Sequence, residues 1–266
     1  MQLIGWYSLL MLFQNTLWLS AIVGMIMHFS WQGLLVGIML GWTFWLIGVS
    51  GGLHKMSAHR AFTPKNRFCK ILLLAFATLC GFGNTLVWAA IHRVHHPNSD
   101  TEKDPHSPKY GSFWRIFFLL LDLRKVYDHK LIQDIVNDKD HQWFARYYYG
   151  IHIALALTLT AISPWALIYC YLVPQLYLCL TMGWLTVGTH CHNLINKHVG
   201  YTNFDKFDHV YNSKIICCLL PGDGNHNNHH EYPGAAKNSV TDKDIDIGFW
   251  FIKLVGKNIN VAGHSK

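Results

Sequence analysis

Three groups of histidines in this chain share a spacing that suits metal binding. His54 and His59 frame HKMSAH; His92, His95 and His96 make HRVHH; His226, His229 and His230 make HNNHH. Neutral imidazole is a good ligand for iron, zinc, copper and nickel. In HxxHH the histidines stand three and four residues apart, and on a helix such positions share a face. Each triplet can therefore converge, and Pro97 and Pro233 should end each helix close to its ligands. His54 and His59 are five apart, which on a regular helix is about 500° of turn and leaves them about 140° apart. They cannot serve one metal from one regular face. They can serve two neighbouring metals, or sit where a helix frays at a membrane surface. Either arrangement fits a two-metal centre.

The identity of the metal follows from what is missing. No HExxH occurs, so the zinc-protease pattern fails, and Cys–His zinc spacing is absent. Carboxylates near the boxes are few: Asp100, Glu102, Asp104, Asp223 and Glu231. Soluble di-iron proteins use Glu and a Glu-x-x-His motif, which this chain lacks. A nearly all-histidine two-iron site at a membrane face is the best reading of the residues alone. The apolar surroundings point to a lipid chain as substrate. His28, His129, His141, His152, His209 and His264 read instead as hydrogen-bonded interface residues.

The elements that must carry these boxes are membrane helices. Of the 266 residues 51% are hydrophobic and 14% charged, against roughly 25% charged in soluble domains. Residues 5–28 and 31–53 form one pair of apolar stretches, and 149–169 and 171–190 a second, broken near Ser163 and Pro164. Each is near the roughly 20 residues a spanning helix needs. Residues 70–91 are also apolar, but a crossing there would put the first two boxes on opposite sides of the bilayer. That segment therefore reads as interfacial or re-entrant, and the short run 112–121 as a surface segment.

Charge agrees. Lys55, Arg60, Lys65, Arg67, Lys70, Arg93, Lys103, Lys109, Arg115, Arg124 and Lys125 all fall between the two pairs, and the connections within each pair carry no Lys or Arg. The positive-inside rule makes 54–148 and 191–266 cytoplasmic. The expected fold is an all-α integral membrane protein of one domain, 1–266. Four transmembrane helices in two hairpins (about 5–53 and 149–190) support interfacial helices and a cytoplasmic, histidine-rich di-metal cap. The net charge of +7 fits loops facing anionic lipid, and no compact basic stripe suggests nucleic acid. The seven cysteines form no disulfide framework and read as reduced thiols. A cleaved signal peptide is not expected, because the first apolar stretch is too long and lacks a basic leader.

At the boxes the sequence resembles the membrane fatty-acid desaturases of the stearoyl-CoA (delta-9) type. HRVHHPNSDTEKDPHSP (92–108) is similar to that family's second box and the stretch after it, and GGLHKMSAHRAF (51–62) to the first. HNNHHEYP (226–233), preceded by GYTNFD (200–205), resembles the third box of bacterial members, and DIGFW (246–250) the closing helix. The resemblance implies His54, His59, His92, His95, His96, His226, His229 and His230 as ligands of two iron ions. It implies a ninth, His192, from a pattern like V-N-S-x-x-H. The family's Asn falls on Gly188 here, and His190, Asn193 or His198 could compensate.

The implied activity is oxygen-dependent insertion of a cis double bond, delta-9 by family type, into a saturated acyl chain on CoA or a lipid. The chain shows no fused cytochrome b5 or ferredoxin-like module, so a separate donor of either type, with its reductase, is expected. Trp88, Trp143 and Trp184 are candidates for an apolar substrate tunnel, with an interfacial aromatic belt as the alternative. Asn84, Arg60, Arg93 and Lys109 are candidates for a polar head group, with surface lipid contact as the alternative. Asp100, Asp104 and His106 could orient the imidazoles from behind, or cap a loop. The expected location is a bacterial inner membrane, or the endoplasmic reticulum in a eukaryote, with the active site facing the cytoplasm. A hydroxylase or ketolase on the same scaffold is the nearest alternative. A metal or haem transporter is the alternative of a different class, and would need polar residues inside the spans.

Overall fold

A computed structural model describes residues 2–112, 114, 129–190, 200–205, 210–242 and 244–261. Most of the described chain is helical. Helix α1 (Gln2–Met27) is followed by α2 (Trp31–Phe44), which continues directly into a π-helix (Trp45–Ala58). Then come α3 (Arg67–Leu79), α4 (Thr85–Asn98), α5 (Lys139–Arg146), α6 (Tyr148–Ile162), α7 (Val173–His190), α8 (Lys214–Leu219), α9 (His226–Glu231) and α10 (Ile247–Val255). Two short strands, β1 (Thr63–Pro64) and β2 (Gly256–Lys257), pair antiparallel and tie the tail to the end of the first box.

Three helical stretches are long and apolar enough to cross a membrane: Leu9–Met27, Trp31–Ala58 and Pro164–His190. Helix α6 is apolar but has only 15 residues, about 22 Å of rise against the roughly 30 Å hydrocarbon core. The break expected near Ser163 and Pro164 is present, and the fourth apolar stretch starts there rather than at residue 171. Ser163 caps a new helix, its Oγ accepting from Ala166 N at 3.0 Å, and Pro164 occupies the first position. A Ser-Pro start is a strong helix signal, so 164–190 runs on without a second break.

Helix α2 and the continuous helical stretch Pro164–His190, which ends in α7, approach closely because three glycines let them. A Cβ at Gly33, Gly37 or Gly41 would lie 2.5, 2.5 or 2.6 Å from Tyr169, Val173 or Tyr177 respectively. Both series step by four residues, one helical face each. Tyr169 also closes the α1–α2 turn: its hydroxyl donates to His28 O and accepts from Ser30 N, both at 2.7 Å.

The 70–91 segment is not one helix. It breaks at a buried turn where Gly81 and Gly83 take φ of 78° and 90°. Non-helical backbone in a membrane protein must be satisfied by protein. Gln14 Nε2 donates to Gly81 O at 2.7 Å, Gln175 Nε2 to Leu79 O at 2.6 Å, and His152 Nε2 to Thr78 O at 3.0 Å. Gly83 N donates to the Tyr148 hydroxyl at 3.0 Å. The buried polar residues Gln14, Gln175 and His152 thus serve a turn. His152 and His141, whose Nδ1 pairs with the Thr85 hydroxyl at 2.7 Å, are hydrogen-bonded interface residues. Most of the run 112–121, Arg115, Arg124, Lys125, His209 and His264 lie outside the described residues.

Candidate metal centre

The first box winds as a π-helix, with hydrogen bonds reaching five residues back. His59 N donates to His54 O at 3.0 Å. This corrects the expectation of a 140° separation, which assumed α-helical winding. His54 and His59 instead share a face, and their rings stand 4.8 Å apart.

They meet histidines from α4 and α9. Nε2 of His54 lies 2.8 Å from His229 Nε2, and Nε2 of His59 lies 2.9 Å from His92 Nε2. His96 Nε2 is 3.0 Å from the Nε2 of both His92 and His229. Each HxxHH box divides, rather than converging on one point. The i, i+4 pair His92 and His96 joins the first group, while His95 turns away to a second. In the third box His229 joins the first group, and the i, i+4 pair His226 and His230 joins the second.

The second group is His95, His190, His226 and His230. His190 Nε2 is 2.9 Å from His226 Nε2, which is 3.2 Å from His230 Nε2; His95 Nε2 is 3.4 Å from His230 Nε2. His190, one of the alternatives to His192, is a member of this group among the described residues. His192, Asn193 and His198 lie outside the described residues. Four residues before His190 stands Thr186, which lines the adjoining cavity and whose hydroxyl donates to Met182 O at 2.9 Å.

Both groups suit a transition metal. Two nitrogens at right angles, each about 2.1 Å from one ion, lie about 3 Å apart, and the separations here run from 2.8 to 3.4 Å. Burial, before any neighbouring charge, holds His59, His92, His96, His226, His229 and His230 well below the ordinary histidine pKa, and His95 at about 3. They are neutral at physiological pH, the form that binds metal.

Carboxylates aim several of these rings. His54 Nδ1 donates to Asp223 Oδ1 at 2.6 Å, His95 Nδ1 to Asp104 Oδ2 at 2.9 Å, and His190 Nδ1 to Asp100 Oδ2 at 3.1 Å. A carboxylate only accepts, so the proton sits on Nδ1 and the Nε2 lone pair faces the group. Burial alone would raise the carboxyl pKa of Asp104 and Asp100, but His95 and His190 respectively hold them low. Trp45 Nε1 donates to the other Asp223 oxygen at 2.8 Å. His106 stacks on His95, with ring centroids 4.0 Å apart.

Sequence reasoning named Asp223 only as a nearby carboxylate, and gave Lys55 no role beyond its charge. Lys55 is 1% exposed; its Nζ donates to Ala235 O and Asn238 Oδ1, both at 2.7 Å, and faces His229 Nδ1 at 3.2 Å. The two asparagines of HNNHH also have structural partners. Asn227 bonds the backbone of Phe204 and Val210, and Asn228 bonds Asn203, Asn212 and Asn238.

Arg93, a head-group candidate, instead joins two elements. Its Nε donates to Ala58 O and its Nη2 to Ser57 O, both at 2.7 Å, and it pairs with both oxygens of Asp134. It satisfies carbonyls left over at the end of the π-helix and fixes α4 against them. Arg60 reaches the same Asp134 at 3.4 Å, and Lys109 lies over the Tyr110 ring.

A mainly apolar cavity adjoins both groups. Its wall includes His54, His92, His95, His190 and His226, then Trp88, Phe82, Met182, Leu10, Met11 and Gln14. Of the tunnel candidates only Trp88 lines it, stacked on His92. Trp143 and Trp184 are half exposed on outer helix faces and absent from its wall. Asn84 caps α4, its side chain accepting from Leu86 N and Val87 N at 3.1 Å.

Comparison with known proteins agrees with this geometry. Over 234 residues the chain is 30% identical to sn-1 stearoyl-lipid 9-desaturase from Anabaena variabilis, covering 86% of this chain and 82% of the relative. It is 28% identical to sn-2 palmitoyl-lipid 9-desaturase from Nostoc sp. (strain 36), covering 85% and 79%. It is 27% identical to the chloroplastic palmitoyl-monogalactosyldiacylglycerol delta-7 desaturase of Arabidopsis thaliana, covering 86% and 61%. Residues 29–239 match the model of the fatty acid desaturase family. With its histidine groups and membrane-length helices, the chain belongs to that family, and it is an oxidoreductase of lipid metabolism.

Proposed function

We propose that this protein is an oxygen-dependent, di-iron acyl-lipid desaturase that inserts a cis double bond at the delta-9 position. The observation that carries the proposal is the pair of converging imidazole groups, five and four histidines, with members of both on the wall of one apolar cavity. His54, His59, His92, His96 and His229 would hold one ion, and His95, His190, His226 and His230 the other. The acyl-lipid substrate rests on the names of the relatives.

A bound iron pair would supply the oxidising power needed to break unactivated C–H bonds, which acid–base chemistry does not reach. The protein's own residues do the rest. Asp223, Asp104 and Asp100 hold their imidazoles in the ligating orientation. Trp88, Phe82 and Met182 present an apolar wall that excludes water and holds an acyl chain beside the histidines. Removing one hydrogen from each of two adjacent methylenes consumes dioxygen, two electrons and two protons and leaves water, so a ferredoxin or cytochrome b5 type donor must deliver the electrons. Helix α6 would be the fourth span, set upright in a locally thinned bilayer, with the histidine groups on the cytoplasmic face. A transporter is disfavoured, because the buried polar residues Gln14, Gln175 and His152 are committed to the 78–83 turn.

Expression in a host that cannot make unsaturated fatty acids tests the proposal, with gas chromatography of separated lipid classes. Delta-9 monoenes appearing first in glycerolipids are the expected result. Products that retain oxygen would make it a hydroxylase, and monoenes appearing first on CoA would move the substrate assignment.

A further inference from the structure

Beside the inner groups lies a buried imidazole, His106, that holds no place in either of them. We propose that Asp104 Oδ1 and His106 Nδ1 form a third, outer metal site beside His95, through which a divalent transition-metal ion enters the four-histidine group. The inference rests on the reading that the inner groups bind metal.

His106 Nδ1 is buried and has no hydrogen-bond partner among the described residues. A buried unpaired ring nitrogen costs about 1–3 kcal/mol, so a ligand there would be favoured. Asp104 Oδ1 stands 4.0 Å away, too far for a hydrogen bond but within the roughly 4.2 Å that two donors can span when each lies about 2.1 Å from one ion. A nitrogen of His95 lies within 4.8 Å of both.

The loop holds this set firmly. Asp100 N and His106 N donate to the two Asp104 oxygens, each at 3.0 Å, and Ser107 Oγ donates to Asp100 Oδ1 at 3.2 Å. Its position suits entry. The His106 side chain is 16% exposed, whereas those of His95 and His190 are 1% and 2% exposed. One carboxylate and one imidazole make a weak site for Fe(II), Co(II) or Zn(II), and four imidazoles a strong one. The affinity difference would drive an ion inward. His95 stands between the two sites, its Nδ1 proton held by Asp104 and its Nε2 facing the inner group.

The test is metal uptake by the full-length protein, stripped of metal and held in detergent without oxygen. His106→Phe keeps the ring stacked on His95 and removes the nitrogens, and Asp104 is left intact because it aims His95. Mixed with Fe(II), the variant should reach the wild-type final iron content about tenfold more slowly. Titrated with Co(II), wild type should bind one weak equivalent beyond the inner sites, which the variant lacks. Equal uptake rates together with equal Co(II) stoichiometry would overturn the outer site. So would a lower final iron content in the variant, since His106 would then belong to a resident site. If wild type itself takes up no metal, the metal-centre reading fails instead.

Discussion

The backbone N–H of His59 donates to the carbonyl of His54, five residues back, at 3.0 Å. That hydrogen bond sets the register of the first box. Because the turn is π-wound, two imidazoles that an α-helix would point apart lie on one face and meet His92, His96 and His229. Deleting Ser57 would bring them to a spacing of four while shifting everything after it. The deletion variant should still insert, and should lose the metal of the five-histidine group but keep that of the four-histidine group. Elemental analysis of purified protein should show the metal content reduced by about half.

Single ligand losses should report the two groups separately. His229→Ala removes a donor from the five-histidine group, and His95→Ala one from the four-histidine group. Each should abolish double-bond formation with insertion intact, and each should weaken one metal while leaving the other. Retained desaturation in either variant would refute the ligand assignment.

Much of this centre was legible in the sequence, because HxxHH spacing and apolar runs are local signals. The eight box histidines, Asp100 and Asp104 all sit at the two groups, and the 70–91 stretch reads as something other than a plain span. The missing parts depend on tertiary context. Nothing in HKMSAH announces π-winding. The division of each HxxHH box depends on where α4 and α9 cross. His190 and His192 could not be separated by pattern, since the motif register was ambiguous by two residues. Gln14 and Gln175 carry no local signal of the turn that they satisfy. The repeat Gly33, Gly37, Gly41 is itself a local signal of close helix packing.

Asp223 should matter through His54. Its Oδ1 takes the Nδ1 proton at 2.6 Å and fixes the ring's tautomer. Asp223→Asn keeps the shape but offers an amide that can donate, which favours the wrong tautomer. Metal affinity should fall by about 10–100-fold, measured by competition with a chelator. Unchanged affinity would show that the ring is held by packing alone.

The glycine contact between α2 and α7 should be intolerant of bulk. A Cβ at Gly37 would lie 2.5 Å from Val173 Cγ1 and 3.2 Å from the Tyr169 carbonyl. Backbone cannot move aside as a side chain can, so Gly37→Leu should cost about 1–3 kcal/mol or more. The expected readout is a lower midpoint of thermal unfolding in detergent. Gly150, where a Cβ meets nothing within 4 Å, provides the control: Gly150→Ala should leave the midpoint unlowered, or raise it slightly because alanine is the better helix former.

Acid should destabilise the protein partly through His141, outside the metal groups. Burial holds its pKa at about 4, below the ordinary 6.5. The unfolded chain therefore takes up its proton before the folded one does. Stability from this residue is complete above pH 6.5 and falls as pH drops toward 4. His141→Leu should flatten that part of the pH–stability curve relative to wild type. Identical slopes between pH 6.5 and 4 would show that His141 does not contribute.

The acyl chain's reach should be set partly by α1. Trp88 stacks on His92 with ring centroids 6.1 Å apart, Phe82 lies 5.9 Å beyond Trp88, and Gln14 bonds the carbonyl of neighbouring Gly81. Moving away from the histidines, the cavity wall thus passes from α4 through the buried turn to Leu10, Met11 and Gln14. If the methyl end of the substrate lies there, filling that space shortens the chain that fits. Met11→Trp should shift products toward shorter monoenes without moving the double bond relative to the carboxyl end, because the histidines and Trp88 are untouched. Gas chromatography of host lipids gives both readouts. A shift in double-bond position with chain length unchanged would mean that the carboxyl end, rather than the methyl end, lies against α1.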